Sequence, residues 1–243
     1  MNITKLLINK TYYNSPKKVP YNPKVSLSEE EINNAFDFAY DMTFGNNGKH
    51  RDHRSGGSFQ RKNGQIFANA FQGKLAEFGF KKFFEEKYGN NLLSEPDLSC
   101  SDLGIWDSCD FNSKYGLISI KSTRYYSGLL LLEEKDWDKN GYYIPNNCKY
   151  FMIVLVRLGI DIEDILKQKD LLYAKECDKE TLQDIFYKGN RKWDCDFPGY
   201  IKYEDLLYVI ENQIVIKKGD VLNKTEMDAS NYYVQVKDLR KWP

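Results

Sequence analysis

The chain has 243 residues, of which 42% are hydrophobic and 29% are charged. This composition is typical of a globular protein with a core and excludes a largely disordered chain. Lysine and arginine together number 35, as do aspartate and glutamate, so the net charge of zero excludes a general electrostatic attraction to nucleic acid. The length predicts a single domain over residues 1–243.

The cysteine pattern and the apolar runs indicate the compartment. Five cysteines are widely spaced and none forms a CxxC pair, which predicts a reduced, cytoplasmic protein without structural zinc. The N-terminal stretch carries no apolar run of signal-peptide length. The longest apolar runs, "GLLLL" and "FMIVLV", are too short to span a bilayer, so we expect no membrane partner.

The first 64 residues predict an extended arm, a helix and a polar loop. Three prolines make residues 11–25 an arm. The stretch "SLSEEEINNAFDFAYDMTF" predicts a helix that begins with a capping box from Ser26 to Glu29. Residues 45–64 are polar and rich in glycine and cations, which predicts a loop.

The longest predicted helix, "QIFANAFQGKLAEFGFKKFFEEKYG", ends at Gly89. One of its faces carries an acidic residue, Glu77, among apolar or small ones: Ile66, Ala70, Gly73, Phe80 and Phe84. A lone buried carboxylate costs several kcal/mol unless it is paired or binds a metal. Alternatively, Glu77 lies at the margin of this face and reaches water or Lys81, and the neighbouring face with Phe67 and Phe71 forms the core.

Two strands, "GIWDSCDF" and "YGLISIKST", are predicted to form a hairpin with its turn at "NSKYG". Because side chains alternate along a strand, Ser119 and Lys121 share one face. Asp110 lies close to them on the partner strand. The simplest interpretation of Asp110 and Lys121 is an ordinary cross-strand ion pair.

The remaining elements complete a mixed α/β (α+β) pattern. The stretch "SGLLLLEEKDWDKNG" predicts a short helix, and "KYFMIVLVRL" predicts a buried strand. After Gly159 we expect three short helices, at "DIEDILKQ", "DKETLQDIFY" and "YEDLLYVI", and a late strand at "NYYVQVKDL".

A helical glutamate, a hairpin aspartate and a Ser-x-Lys strand follow one another in this order within residues 64–157. In this respect the chain resembles the PD-(D/E)XK nuclease superfamily, most closely its type II restriction endonucleases. The resemblance implies a catalytic core at about residues 64–157, with a mixed β-sheet flanked by helices. Residues 1–63 would be an N-terminal arm and helix, and residues 158–243 an α/β extension for DNA recognition or dimer contacts.

The resemblance also implies the catalytic residues. Asp110 matches the aspartate of the motif, with Asp107 as its alternative, and Lys121 matches the lysine. Ser119 stands where the motif has Asp or Glu, and a serine hydroxyl is a poor Mg²⁺ ligand. Some similar enzymes carry this serine and take the missing carboxylate from a later helix. Glu134, with twelve residues between it and Lys121, is the preferred candidate, and Glu133 is its alternative.

The implied activity is Mg²⁺-dependent, sequence-specific hydrolysis of double-stranded DNA that leaves 5′-phosphates. Asp110, with Glu77 or Glu134, would hold the metal, and Lys121 would stabilise charge that develops on the phosphate. We expect a homodimer on a palindromic site, since symmetric subunits match symmetric half-sites. A cognate DNA methyltransferase, which protects host DNA, is implied as a functional partner.

Two segments are predicted to contact DNA. The loop "GKHRDHRSGGSFQRK" provides five cations: Lys49, Arg51, Arg54, Arg61 and Lys62. Arg124 and Tyr125 follow directly after the strand that carries Lys121. Arginine side chains bind guanine edges and phosphates, although most such charge runs are simply solvated.

Three alternatives to a restriction enzyme stay open at this point. The first is a repair or junction nuclease of the same superfamily. The second is a catalytically inactive DNA-binding module, in which Ser119 marks the loss of metal binding. The third is a protein with no nucleic-acid role, which the zero net charge favours.

Overall fold

The computed structural model describes residues 2–45, 62–99 and 110–243. Within these ranges the chain has the predicted mixed α/β architecture, with five α-helices and three β-sheets. The helices are α1 (Glu29–Thr43), α2 (Asn63–Tyr88), α3 (Ile162–Gln168), α4 (Lys179–Tyr187) and α5 (Tyr203–Glu211). The strands are β1 (Ile8–Asn9), β2 (Tyr12–Tyr13), β3 (Val25–Ser26), β4 (Phe111–Ser113), β5 (Gly116–Arg124), β6 (Leu129–Glu133), β7 (Tyr150–Leu158), β8 (Asp194–Lys202), β9 (Val215–Ile216), β10 (Val221–Leu222), β11 (Thr225–Glu226) and β12 (Asn231–Gln235).

The central sheet has five strands in the order β3-β8-β7-β5-β4. Strands β4 and β5 form an antiparallel hairpin in which Phe111 lies opposite Ile118. Strand β5 runs parallel to β7, so the chain between them must cross over. This crossover contains β6, which belongs to a second sheet in the order β6-β12-β9.

Helices α1 and α2 cover one face of the central sheet with an aromatic core. The Phe36 ring of α1 lies 5.5 Å from Phe67 and 5.7 Å from Phe71 of α2, centroid to centroid, in edge-to-face geometry. Ile118 and Ile120 of β5 are buried in the same cluster. By strand alternation, Ser119 and Lys121 therefore face the other side of the sheet.

The opposite face of the central sheet packs against the second sheet and α5. Buried residues of this second core include Leu155 of β7, Leu130 and Leu132 of β6, and Leu206 of α5. A small third sheet, in the order β1-β2-β10-β11, pairs the N-terminal arm with a hairpin near the C-terminus. The arm and the C-terminal region thus belong to one folded unit with the central sheet.

A buried ion pair joins β7, β8 and the arm. Arg157 and Asp196 have only 1% and 3% of their surface exposed. The Arg157 Nε donates to Asp196 Oδ2 at 3.0 Å, and its Nη2 also bonds the same carboxylate. The two terminal nitrogens donate to the carbonyl oxygens of Val19 (2.9 Å) and Pro20 (2.7 Å). These bonds satisfy the guanidinium and fix the arm against the sheet.

Several predicted elements are confirmed and one capping motif is corrected. Helix α2 ends at Gly89, whose φ of +103° favours glycine, and the strand at 150–158, the three short helices and the late strand are all present. The second strand of the predicted hairpin is β5, whereas most of the first, "GIWDSCDF", lies outside the described residues, and β4 (Phe111–Ser113) begins at its last residue and extends into the predicted turn. Helix α1 is confirmed, but its capping box runs from Ser28 to Glu31, with Ser28 Oγ accepting from the Glu31 amide at 3.2 Å. The predicted box from Ser26 to Glu29 is wrong.

The predicted helix at "SGLLLLEEKDWDKNG" is also wrong. Its leucines form strand β6, in which Leu131 lies opposite Tyr233 of β12, and only Glu134–Asp136 form a turn of 3₁₀ helix. Strand β8 was not predicted, because Pro198 and Gly199 interrupt its pattern. Both lie where the β7–β8 ladder is irregular, which is where a strand tolerates them.

None of the helices in the described ranges is long and apolar enough to cross a membrane.

Replacing Asp196 by alanine tests the buried ion pair. Asp196→Ala should lower the free energy of unfolding by about 3–5 kcal/mol, because it leaves the Arg157 charge buried without its carboxylate. Urea denaturation followed by circular dichroism measures this loss. Asp184→Ala is the control, since its pair with Lys188 is exposed and should contribute less than about 1 kcal/mol. Equal losses of unfolding free energy in the two variants would contradict a special role for the buried Arg157–Asp196 pair.

Candidate functional site

The structure brings Asp110, Ser119 and Lys121 together on one face of the β4–β5 hairpin. Because Phe111 pairs with Ile118, the preceding residue Asp110 lies opposite Ser119. Opposite side chains in an antiparallel pair have Cβ atoms about 5 Å apart. Lys121 lies two residues beyond Ser119 on the same face, about 7 Å along the strand. The sequence prediction that these residues are neighbours agrees with this geometry.

Asp110 is held in place by the backbone of β5. Strand β4 has only three residues, so its ladder with β5 ends at Ile118. The next amide on that edge belongs to Ile120, and it donates to Asp110 Oδ2 at 2.6 Å. This bond uses one carboxylate oxygen and gives Asp110 a structural role beside any catalytic one. The pKa of Tyr150 is raised mainly by burial, and then by the Cys148 thiol and by the charge of Asp110. Asp110 therefore lies near Tyr150, the first residue of β7.

A cavity of about 1220 Å³ lies along the second half of β5, and its described lining does not include Asp110 or Ser119. Its lining includes Ile120 and Lys121 and continues to Arg124. On the α2 side Asn69 and Gln72 line it, and the Gln72 side-chain amide donates to Ser122 Oγ at 3.2 Å. Lys121 therefore does not point to bulk solvent from a flat surface but lies in the wall of an open cleft.

The two neighbouring glutamates after the leucine run have different environments. Glu133 ends β6 on the same strand face as Leu131, and both line the cavity that contains Lys121. One carboxylate oxygen of Glu133, Oε2, is buried. Glu134 begins the 3₁₀ turn, and its carboxylate accepts from Lys217 Nζ at 2.9 and 3.1 Å. The structure thus places Glu133 in the cavity and Glu134 in an ion pair outside its lining.

Glu77 is buried, with 8% of its surface exposed, but it does not line the cavity. Its Oε2 pairs with Lys74 Nζ at 2.7 Å, and Lys74 also donates to the carbonyl of Asp97 at 2.7 Å. The alternative in which Glu77 reaches Lys81 is wrong, since Lys81 bonds Glu85 and Glu95. A role for Glu77 as a metal ligand stays a prediction.

The residues predicted to contact DNA are only partly described. Lys49, Arg51, Arg54 and Arg61 lie outside the described residues, as does Asp107. Lys62 is exposed at the start of α2, and Tyr125 is exposed, with its ring 6.0 Å from that of Tyr21.

Arg124 lines the cavity but its charge is compensated. Its Nε lies 3.3 Å from Asp161 Oδ1, its Nη2 bonds Glu163, and its Nη1 donates to the Tyr126 hydroxyl at 2.7 Å. Burial lowers the pKa of Arg124, but the Tyr126 hydrogen bond and the two carboxylates outweigh this, so the pKa lies above its usual value. Arg124 is a weaker phosphate ligand in this state than a free arginine, because a phosphate must compete with two carboxylates.

The described lining of the cavity carries more acids than cations. The acids are Glu133, Asp136, Glu163, Glu226 and Asp228. The cations are Lys18, Lys121 and Arg124. A phosphodiester that enters such a cavity is repelled by the acidic wall unless a bound cation compensates that charge. In the part of the chain that the structure describes, no three carboxylate, histidine or cysteine side chains form a metal-binding group.

Sequence reasoning missed several cavity residues. Asn69 and Gln72 of α2 and Asp136 and Asp228 from the C-terminal half line the same space as Lys121. No sequence signal could have found them, because polar residues on helices and loops are commonly solvated, and these are distant along the chain.

Comparisons with known proteins provide no family assignment. No protein-family model, no curated protein and no solved structure matches the chain. A function must therefore be inferred from the geometry of the chain's own residues.

Two substitutions of Asp110 separate its structural role from its charge. Asp110→Ala should lower the free energy of unfolding by about 1–3 kcal/mol, because the partly buried Ile120 amide loses its acceptor. Asp110→Asn keeps an acceptor oxygen and should lose less than about 1 kcal/mol. Thermal or urea denaturation measures both values. Wild-type stability in Asp110→Ala would contradict this hydrogen bond.

Proposed function

We propose that the chain is a Mg²⁺-dependent endonuclease of the type II restriction class, which hydrolyses double-stranded DNA at the cavity beside Lys121. The observation that carries the proposal is the hairpin geometry. Asp110 is fixed opposite Ser119 and one strand repeat from Lys121, and Lys121 lines the cavity. A carboxylate that can hold a cation, close to a lysine that can contact a phosphate, is the combination that metal-assisted phosphodiester hydrolysis uses.

The order of elements supports a restriction-endonuclease-like core. Helix α2 is followed by a short bridge from Leu93 to Ser113, then by β4, by β5 and, after a crossover, by the parallel strand β7. This is the sequence of helix and strands that the resemblance implies, with one departure. The crossover carries strand β6 and a 3₁₀ turn where a helix is expected.

Asp110 and Glu133 are the residues that we propose to hold the metal. Mg²⁺ in enzymes is commonly bound by one or two carboxylates, with water and substrate phosphate completing its shell. Glu133 replaces Glu134 as the preferred carboxylate, since Glu133 lines the Lys121 cavity and Glu134 is bonded to Lys217. Bound Mg²⁺ would supply neutralisation of the scissile phosphate and activation of a water.

Lys121 and Ser119 have distinct roles in this proposal. The Lys121 ammonium donates to the phosphate oxygen on which negative charge develops and orients the attacking water, so that displacement is in line. Ser119 is only 2% exposed, and it lies opposite Asp110 and two residues before Lys121 on the same face. Because this side chain is small and neutral, the hairpin supplies only one carboxylate, that of Asp110. A second carboxylate must come from elsewhere, and we assign it to Glu133.

Other parts of the proposal rest on the resemblance alone. These are the 5′-phosphate products, a homodimer on a palindromic site and a cognate methyltransferase. Glu77, paired with Lys74, would serve as a metal ligand only if that ion pair opened.

Cleavage of phage DNA by the purified protein tests the proposal. We expect discrete fragments with Mg²⁺ and none without it. Lys121→Ala should lower the rate by at least about 100-fold, because charge stabilisation in the transition state is lost, while binding in a gel shift persists. Lys169→Ala, an exposed lysine of the α3–α4 loop, is the control. A Lys121→Ala variant that still cleaves DNA would refute the mechanism. Wild-type protein that binds DNA in the gel shift but does not cleave it would favour an inactive DNA-binding module.

The choice between the two glutamates has its own test. Glu133→Gln should lower the cleavage rate by about 100-fold or more, because the amide is a poorer ligand for Mg²⁺ than a carboxylate. Glu134→Gln should leave the rate nearly unchanged, since it loses only an exposed ion pair with Lys217. The two variants carry the same chemical change on adjacent residues, so each is a control for the other. The reverse order of losses would restore Glu134 as the ligand.

A further inference from the structure

Lysines and aromatic rings form a surface cluster at the end of the central sheet opposite to the Lys121 cavity. We call it the lysine–aromatic patch, and it consists of Lys114, Tyr115, Lys149, Phe151, Lys202 and Tyr203. All but Lys114 line a shallow pocket of about 360 Å³. Tyr115 is 61% exposed. The patch shares no residue with the lining of the larger cavity.

The sheet topology brings these residues together. The turn between β4 and β5, the first residues of β7 and the end of β8 all lie at one end of the central sheet. The Tyr115 and Phe151 rings stack with centroids 5.9 Å apart. Gly116 permits this close approach, because its φ is +126° and a Cβ there would lie 3.1 Å from the Phe151 Cβ.

Each lysine of the patch lies over an aromatic ring. The Lys149 Nζ is 3.5 Å from the centroid of Tyr203. Lys114 lies 4.9 Å from the Tyr115 centroid, and Lys202 lies 5.9 Å from that of Phe151. Cation–π contacts orient an ammonium group but leave its positive charge and its hydrogen-bond donors available to an anion.

The positive charge of the patch is not neutralised by neighbouring acids. Among the described residues, no carboxylate forms an ion pair within 4 Å with the side-chain Nζ of Lys114, Lys149 or Lys202, and the nearby Asp205 carboxylate accepts instead from the Lys202 backbone amide at 2.9 Å. The one acid of the shallow pocket, Glu204, is paired with Arg240 at 3.2 Å. In a chain with zero net charge, three such lysines produce a local field that attracts anions.

We propose that the lysine–aromatic patch binds the phosphate backbone of duplex DNA that flanks the cut site, an inference that rests on the proposed nuclease function. Strand β4 is the edge strand of the sheet, and the larger cavity opens along β5 beyond it, so both sites lie along this edge. The five residue steps from Gly116 to Lys121 span about 17 Å. This distance corresponds to about five base pairs, so the patch contacts phosphates on the flank.

A salt titration of DNA binding tests the proposal. In a Lys121→Ala background, which keeps the DNA intact, the dissociation constant for a fluorescent 30-base-pair duplex is measured by anisotropy at several salt concentrations. Adding Lys114→Glu and Lys149→Glu should weaken binding at least tenfold at low salt. The slope of log affinity against log salt should become shallower by about 2, because two phosphate contacts are lost.

The control makes the same charge change elsewhere. Lys167→Glu with Lys169→Glu alters two exposed lysines at the end of α3 and should leave the slope unchanged. An unchanged slope in the patch variant, or an equal loss in the control, would overturn the proposal. If the wild-type protein cuts DNA and the salt slope of the patch variant is unchanged, DNA binding by the patch is refuted but the nuclease function is not. Patch-dependent binding by a protein that never cuts DNA would support the patch and refute the nuclease.

Discussion

The buried pair of Arg157 and Asp196 is the constraint on which the rest of the structure depends. Two charges removed from water cost several kcal/mol, so the pair is tolerated only because its hydrogen bonds are nearly complete. Two of those bonds go to the carbonyls of Val19 and Pro20. They hold the arm beside β7 and β8, and the adjoining residue Lys18 then forms part of the cavity wall. Fold stability and the shape of the candidate site therefore have a common origin.

The candidate site lies where regular hydrogen bonding ends. A longer β4 would pair with Ile120 through its backbone and close the edge of β5. Because β4 has only three residues, the Asp110 side chain takes the place of the missing backbone acceptor. A carboxylate fixed by a backbone amide is pre-organised, which is what a metal site requires.

The zero net charge conceals a separation of charge within the molecule. The cavity beside Lys121 has an acidic wall, which includes Glu133 and Asp228, whereas the ammonium groups of the lysine–aromatic patch form no ion pair among the described residues. An acidic wall favours a divalent cation, and a lysine surface favours phosphate. The two properties are complementary for a metal-dependent enzyme that acts on a polyanion.

The sequence by itself determined the elements whose signals are local. These include α2 with its stop at Gly89, strand β5, and the common face of Ser119 and Lys121. It did not determine β6, because the leucines before Glu133 form a strand only through pairing with β12, about a hundred residues later. A helix and a strand direct Glu133 and Glu134 differently, so this long-range pairing alone decided which glutamate lines the cavity. Cavity walls, likewise, are set by tertiary contacts between distant segments, for which a local pattern carries no signal.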